Sequence, residues 1–268
     1  MTLYFVGLGL SSKHLTLEAI DAINKADKII IDTYTSIVHG FTPEQIASLN
    51  PRAELVLARR KDLEGRSIKE IVDEAKRKNI AILVPGDPFI ATTHDAIRIE
   101  ALEQGVTVKT IHGVSIYSVA ASATGLQIYR FGKTVTLVYP EAFKPYSTIE
   151  TIYGNLMRNL HTLVLLDLKL EEKKAMRITE AVDILLELDE KRILSKIIAV
   201  GLSRAGTPEQ VVHADMFPEL KKYDYAGPPE SMIIVAKPHP VELDALKLIC
   251  GLPDTVINKI NDSYSKLF

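Results

Sequence analysis

Short apolar runs alternate with amphipathic stretches through the first half of the chain. Runs at residues 2–8, 28–32, 53–57, 80–84 and 106–111 have the length of strands, and Ile80-Ala81-Ile82-Leu83-Val84 is unbroken by any polar residue. Between them, near 15–25, 67–78 and 93–103, apolar positions return at helical spacing. In the second of these, Ile68, Ile71, Val72 and Ala75 fall on one face, and Ser67-Ile68-Lys69-Glu70 reads as a capping box. Thr93, in Ala91-Thr92-Thr93-His94-Asp95, reads as the N-cap of the third. Such alternation predicts a mostly parallel sheet covered on both faces.

Beyond residue 113 the rhythm continues with a different texture. Helices are predicted near 114–123, 146–158, 175–188 and 240–250, and strands near 133–139, 162–167, 196–202 and 231–237. Ile178, Ala181, Val182, Leu185 and Leu186 make one helical face, and Pro240 and Gly251 bracket the last helix. No repeat or low-complexity tract interrupts the pattern. The expected boundary is the loop at His112-Gly113, giving an N-terminal α/β domain (1–112) and a C-terminal α/β domain (113–268) with a cofactor between the halves.

Composition adds mainly exclusions. The 268 residues are 47% hydrophobic and 25% charged, as in a globular protein with a full core, and the net charge of −2 gives no footprint for nucleic acid or a membrane surface. The clear basic cluster, Arg59-Arg60-Lys61, reads as a solvated face or as a dock for an anionic surface. Cys250 is the one cysteine, in an apolar run, and reads as an inert core thiol. The histidines show no metal-ligand spacing, so no metal is expected. There is no basic n-region at the start and no apolar run near the ~18 residues of a membrane span, so a cytoplasmic protein is expected.

Two glycine turns follow predicted strands, Gly7-Leu8-Gly9-Leu10 and Pro85-Gly86-Asp87-Pro88-Phe89. Ligands of parallel sheets bind outside the carboxyl ends of strands, where both turns fall. The first turn lacks the third glycine of a dinucleotide fingerprint, but Asp32 lies about where a ribose-binding acid would sit, so a nicotinamide-dependent oxidoreductase stays open on these residues. Asp87 could accept from ribose hydroxyls or face a ligand's positive charge; equally it could cap the next helix. His94 and Asp95 are adjacent on a helix and do not face each other, which argues against a dyad.

These segments together resemble the diphthine synthases, S-adenosylmethionine-dependent enzymes of the tetrapyrrole-methylase-like fold. The resemblance runs through Leu3–Leu10, Asp32-Thr33-Tyr34-Thr35-Ser36 and Val84–His94. Its most specific blocks are Gly125-Leu126-Gln127-Ile128-Tyr129-Arg130-Phe131-Gly132-Lys133 and Leu160-His161-Thr162-Leu163-Val164-Leu165-Leu166-Asp167. It implies two α/β domains with S-adenosylmethionine in the cleft between them. The implied cofactor contacts are Leu10, Asp87, Ile90, Ser115, Ile116, Leu166, Ala205 and Glu230. Where the family commonly has Asn-Ala this chain has Gly113-Val114, and where it commonly has histidine this chain has Glu230.

The implied reaction is trimethylation of the amino group of a modified histidine on elongation factor 2, by a homodimer. Displacement at a sulfonium methyl needs orientation, desolvation and a neutral amine, and solvent can take the proton, so no catalytic residue is assigned. The rivals are a tetrapyrrole or corrinoid methyltransferase of the same superfamily, the oxidoreductase, and a binding protein without turnover.

Overall fold

The computed structural model describes residues 1–141 and 143–265. They fall into two compact units, one of Met1–Ile116 with Leu168–Lys174, the other of Tyr117–Asp167 and the chain from Ala175 onward.

The first unit holds strands β1 (Thr2–Gly7), β2 (Lys28–Asp32), β3 (Glu54–Ala58), β4 (Ile80–Val84) and β5 (Thr107–Ile111). They form one sheet in the order β3-β2-β4-β1-β5, parallel throughout. Its helices are α1 (Leu17–Lys25), α2 (Pro43–Leu49), α3 (Arg60–Leu63), α4 (Ser67–Ala75) and α5 (Asp95–Glu103). Alternate strand residues serve opposite faces. Leu3, Phe5, Ile30, Ile80, Ile82 and Val84 pack with Ile71 and Val72 of α4 and Ile97 and Ala101 of α5. Tyr4, Val6, Ile29, Ile31, Ala81 and Leu83 pack with Ala19, Ala22 and Ile23 of α1 and Ile46 of α2. Burial on both faces is why these strands read as unbroken apolar runs. Because all are parallel, their carboxyl ends share one edge, and the turns that follow them meet there.

Two expected caps are corrected. Arg66 is already in the right-handed helical conformation, so Ser67 lies inside the first turn of α4 and its hydroxyl donates to the Lys61 carbonyl at 2.8 Å. Likewise His94, not Thr93, occupies the N-cap of α5, and the Thr93 hydroxyl donates to Glu64 at 2.9 Å. In both cases a nearby tertiary acceptor wins over the local cap.

Onward from the first five strands come α6 (Ile116–Thr124), β6 (Val135–Leu137), α7 (Tyr146–Met157) and β7 (Thr162–Leu166). A short ribbon, β8 (Leu168–Lys169) with β9 (Lys174–Ala175), precedes α8 (Ile178–Leu188). Then follow β10 (Ile198–Ser203), β11 (Val211–Met216), β12 (Glu230–Ile234), α9 (Pro240–Cys250) and α10 (Asp254–Ser265). The second sheet runs β11-β10-β12-β7-β6, and only β6 with β7 is parallel. Pro240 opens α9 and Gly251, at φ 68°, ends it in the left-handed region. Cys250 is buried, and burial pushes its thiol up to about 12.

Candidate functional site

The turns after β1 and β4 are joined main chain to main chain. Leu8 N–H donates to the Val84 carbonyl at 2.8 Å, Gly9 N–H to Gly86 at 3.1 Å, and Gly86 N–H back to Gly9 at 2.9 Å. Gly86 holds φ at +71°, a conformation that favours glycine. A methyl group on Gly113 would lie 2.1 Å from the Gly86 carbonyl oxygen, so in this backbone the position takes glycine alone. The Asn side chain that the resemblance leads one to expect there has no room. Backbone therefore floors this edge of the sheet.

Asp87 stands beside that floor, with its side chain 6% exposed. One oxygen accepts from Phe89 N–H at 3.1 Å; the other accepts from Gly113 N–H at 3.4 Å and from His112 Nδ1 at 2.7 Å. An ionised carboxylate has about four acceptor positions, so about one remains for a ligand. The next helix begins only at Asp95, which removes the helix-cap reading of Asp87. Leu10 belongs to the first turn, its N–H bound to His14 Nδ1 at 3.2 Å, and Ile90 follows Asp87, partly exposed. Ser115 and Ile116 lie just past Gly113, Ile116 opening α6. The first unit thus brings Leu10, Asp87 and Ile90 to one edge, with Ser115 and Ile116 next in line.

The ends of β2 and β3 carry different chemistry. Asp32 is not poised for a ribose: its carboxylate is buried and accepts from Tyr34 N–H at 2.9 Å, Thr35 N–H at 3.0 Å, the Thr35 hydroxyl, and His94 Nε2 at 2.9 Å. Burial alone would raise its pKa, but the bonds from His94, Thr35 and Tyr34 outweigh burial and hold it below the usual range. His94 pairs with Asp32 and not with Asp95, which binds Arg98. Next to this pair, the Arg60 guanidinium lies 4.8 Å over the Tyr34 ring and binds Glu64 at 3.1 Å. Arg59, Arg60, Lys61, Glu64 and Glu171 line a cavity of about 490 Å³. The basic cluster is therefore the wall of a hollow at the carboxyl end of β3.

In the second unit, Leu166, Ala205 and Glu230 also gather at one sheet edge. Leu166 ends β7, Glu230 begins β12, and Ser203↔Glu230 pairing puts the turn that carries Ala205 beside it. The Glu230 side chain is committed inward. It pairs with Arg177 Nε at 2.5 Å and accepts from Ile178 N–H at 2.6 Å, at the start of α8. Burial raises its pKa, and Ile178 and Arg177 offset that only in part.

The two most specific sequence blocks converge on Glu242 of α9, whose side chain is fully buried. It accepts from Gln127 N–H at 3.0 Å, His239 N–H at 2.8 Å, the Arg130 guanidinium, and His161 Nε2 at 3.1 Å. His161 Nδ1 accepts from Ala236 N–H at 3.0 Å, which places the imidazole proton on Nε2. Among the described residues, no group of three or more His, Cys, Asp or Glu side chains is placed to hold a metal ion.

Residues 2–221 match the family of Tetrapyrrole (Corrin/Porphyrin) Methylases. A diphthine synthase of Staphylothermus marinus is 63% identical over 262 residues, covering 97% of this chain and 98% of the relative. The chain belongs to the diphthine synthase family. Another diphthine synthase, from Methanocaldococcus jannaschii, is 39% identical over 92% of this chain and 98% of its own. A crystal structure of a diphthine synthase, 34% identical, matches with a TM-score of 0.88 over 96% of this chain and 99% of that one. Membership removes the oxidoreductase reading, in keeping with the buried Asp32. Glu242 anchors both of the most specific sequence blocks, and nothing in the sequence singled it out.

Proposed function

We propose that the protein transfers methyl groups from S-adenosylmethionine to the amino group of the modified histidine of elongation factor 2, yielding the trimethylated product diphthine. The 63% identity to the Staphylothermus marinus diphthine synthase along 97% of the chain carries this reading. Its support in the first unit is the backbone floor at Gly86 and Gly113 beside an Asp87 carboxylate with unfilled acceptor capacity. Leu10, Asp87, Ile90, Ser115 and Ile116 are the proposed cofactor contacts there. Leu166, Ala205 and Glu230 extend the set in the second unit, Glu230 through its main chain. When bound, S-adenosylmethionine supplies a sulfonium methyl with a good thioether leaving group. The protein's part is to orient the amine and exclude water. A homodimer working in the cytoplasm completes the proposal.

The deciding assay incubates the protein with methyl-labelled S-adenosylmethionine and, in parallel, elongation factor 2 bearing the unmethylated precursor or a corrin or porphyrin acceptor. Label on the elongation factor is the expected result; label only on a tetrapyrrole would replace this reading with that of the wider family. Asp87→Ala should weaken S-adenosylmethionine binding about 10- to 100-fold in calorimetry, the loss of one charge-assisted hydrogen bond. Unchanged affinity would remove Asp87 from the cofactor site.

The hollow at Arg59, Arg60 and Lys61 is proposed as the dock for an acidic stretch of the elongation factor. Reversing charge with Arg59→Glu and Lys61→Glu should raise KM for the protein substrate about tenfold at low salt, with the difference shrinking as salt is added. A KM that ignores both substitutions would leave the cluster a solvated surface.

A further inference from the structure

The Asp87–His112 pair has a use that neither residue has alone. His112 follows β5 and its side chain is 78% exposed, while Asp87 is nearly sealed from solvent. The carboxylate is held on both oxygens by Phe89 N–H and Gly113 N–H, so it is a fixed acceptor. An ionised carboxylate only accepts, so His112 Nδ1 carries the proton that it donates across 2.7 Å. That leaves Nε2 with a free lone pair at the exposed end of the ring. Asp87 is the charged group facing the imidazole, from the loop after β4; Gly113, next in sequence, contributes only backbone. A neutral imidazole held in one tautomer by a buried carboxylate is the arrangement of a general base.

We propose that His112 Nε2 takes the proton from the acceptor ammonium, with Asp87 fixing its tautomer and orientation. The step rests on the methyltransferase reading above. The ammonium gives a proton to Nε2 and becomes a neutral amine. The amine lone pair attacks the sulfonium methyl, the C–N bond forms, and the C–S bond breaks to leave a neutral thioether. The imidazolium then releases its proton to water, to which its exposure gives access. Repeated methylation needs this cycle each time, because each secondary or tertiary ammonium must lose a proton before it can attack again.

Two measurements test it. In the cofactor-free protein, nitrogen NMR with labelled histidine should show His112 in the Nδ1–H tautomer, and Asp87→Asn should abolish that preference; an Nε2–H tautomer in the unmutated protein overturns the proposal. In single-turnover assays, His112→Ala should slow transfer about 100-fold. Its S-adenosylmethionine affinity should stay within about threefold, and added imidazole should restore part of the rate. Transfer by the variant at the unmutated rate, a loss that imidazole does not relieve, or a parallel loss of cofactor affinity each overturn it. Absence of label transfer by the unmutated protein overturns the methyltransferase reading and this one together, whereas normal transfer with an indifferent variant overturns this one alone.

Discussion

Glu242→Ala is expected to lower the unfolding free energy by about 3–5 kcal/mol, the scale of removing one partner from a buried charged network. The substitution leaves Gln127 N–H, His239 N–H, the Arg130 guanidinium and the Nε2–H of His161 without their shared acceptor. Burial acts to raise the Glu242 pKa, but the bonds from His161, His239 and Gln127 prevail and bring it from 4.5 to about 2. A depressed carboxylate stabilises the fold fully above its unfolded pKa and ceases to do so as pH falls through the folded one. The contribution, about 3 kcal/mol, should therefore be intact above about pH 4.5 and fade toward pH 2. Urea unfolding across that window checks both claims: the unmutated protein should lose stability on acidification, and the variant should lose less. Glu242→Gln should recover only part, since its amide NH₂ turns a donor toward donors. Equal urea midpoints for the unmutated protein and the alanine variant at neutral pH would refute the anchoring role.

Asp32→Ala should cost a similar amount, about 3–5 kcal/mol, for a related reason. It strands His94, whose side chain is fully buried and whose Nδ1 already has no partner, together with the Tyr34 and Thr35 N–H groups. Asp32→Asn can still accept from those N–H groups but presents its NH₂ to Nε2, so about 1–3 kcal/mol is expected. With its pKa held low, Asp32 also adds stability that disappears as the solution is acidified. The pair of measurements separates two roles. A structural Asp32 lowers the unfolding midpoint of both variants while the folded fraction keeps its cofactor affinity. A ligand-binding Asp32 would do the reverse.

The first sheet was readable from the chain because its inner strands β1, β2 and β4 are buried on both faces, so each announces itself as an apolar run. Elements without that signal escaped. In β11, Val211–Met216 is interrupted by His213 and by Asp215, whose carboxylate is buried only because Lys222 and Tyr223 meet it at 2.7 and 2.8 Å. The helix α2 did carry a start pattern, Thr42-Pro43-Glu44-Gln45, with Gln45 accepting from Thr42 N–H at 3.1 Å, but its length of 7 residues leaves little periodicity to detect. The antiparallel pairing of the second sheet was equally hidden, since strand runs do not state their direction.

At the site, the glycine turns and Asp87 were legible because their residue types are constrained locally. The Asp87–His112 and Asp32–His94 pairs were not, being separated by 25 and 62 positions and brought together only by the order of strands in the sheet. His112 was noticed merely as the residue before a loop glycine. Long-range pairs of this sort leave no trace in local spacing.

The stretch Leu168–Lys174 groups with the first unit although second-unit sequence flanks it on both sides. Neither unit is therefore a single continuous stretch of gene. A recombination event that exchanged one unit for a relative's would have to replace two separate segments in register, and a single crossover near residue 116 would join Arg59, Arg60 and Lys61 of one parent to the residue-171 wall of the other. Because its wall is drawn from both segments, the hollow stays matched only when the two are inherited together.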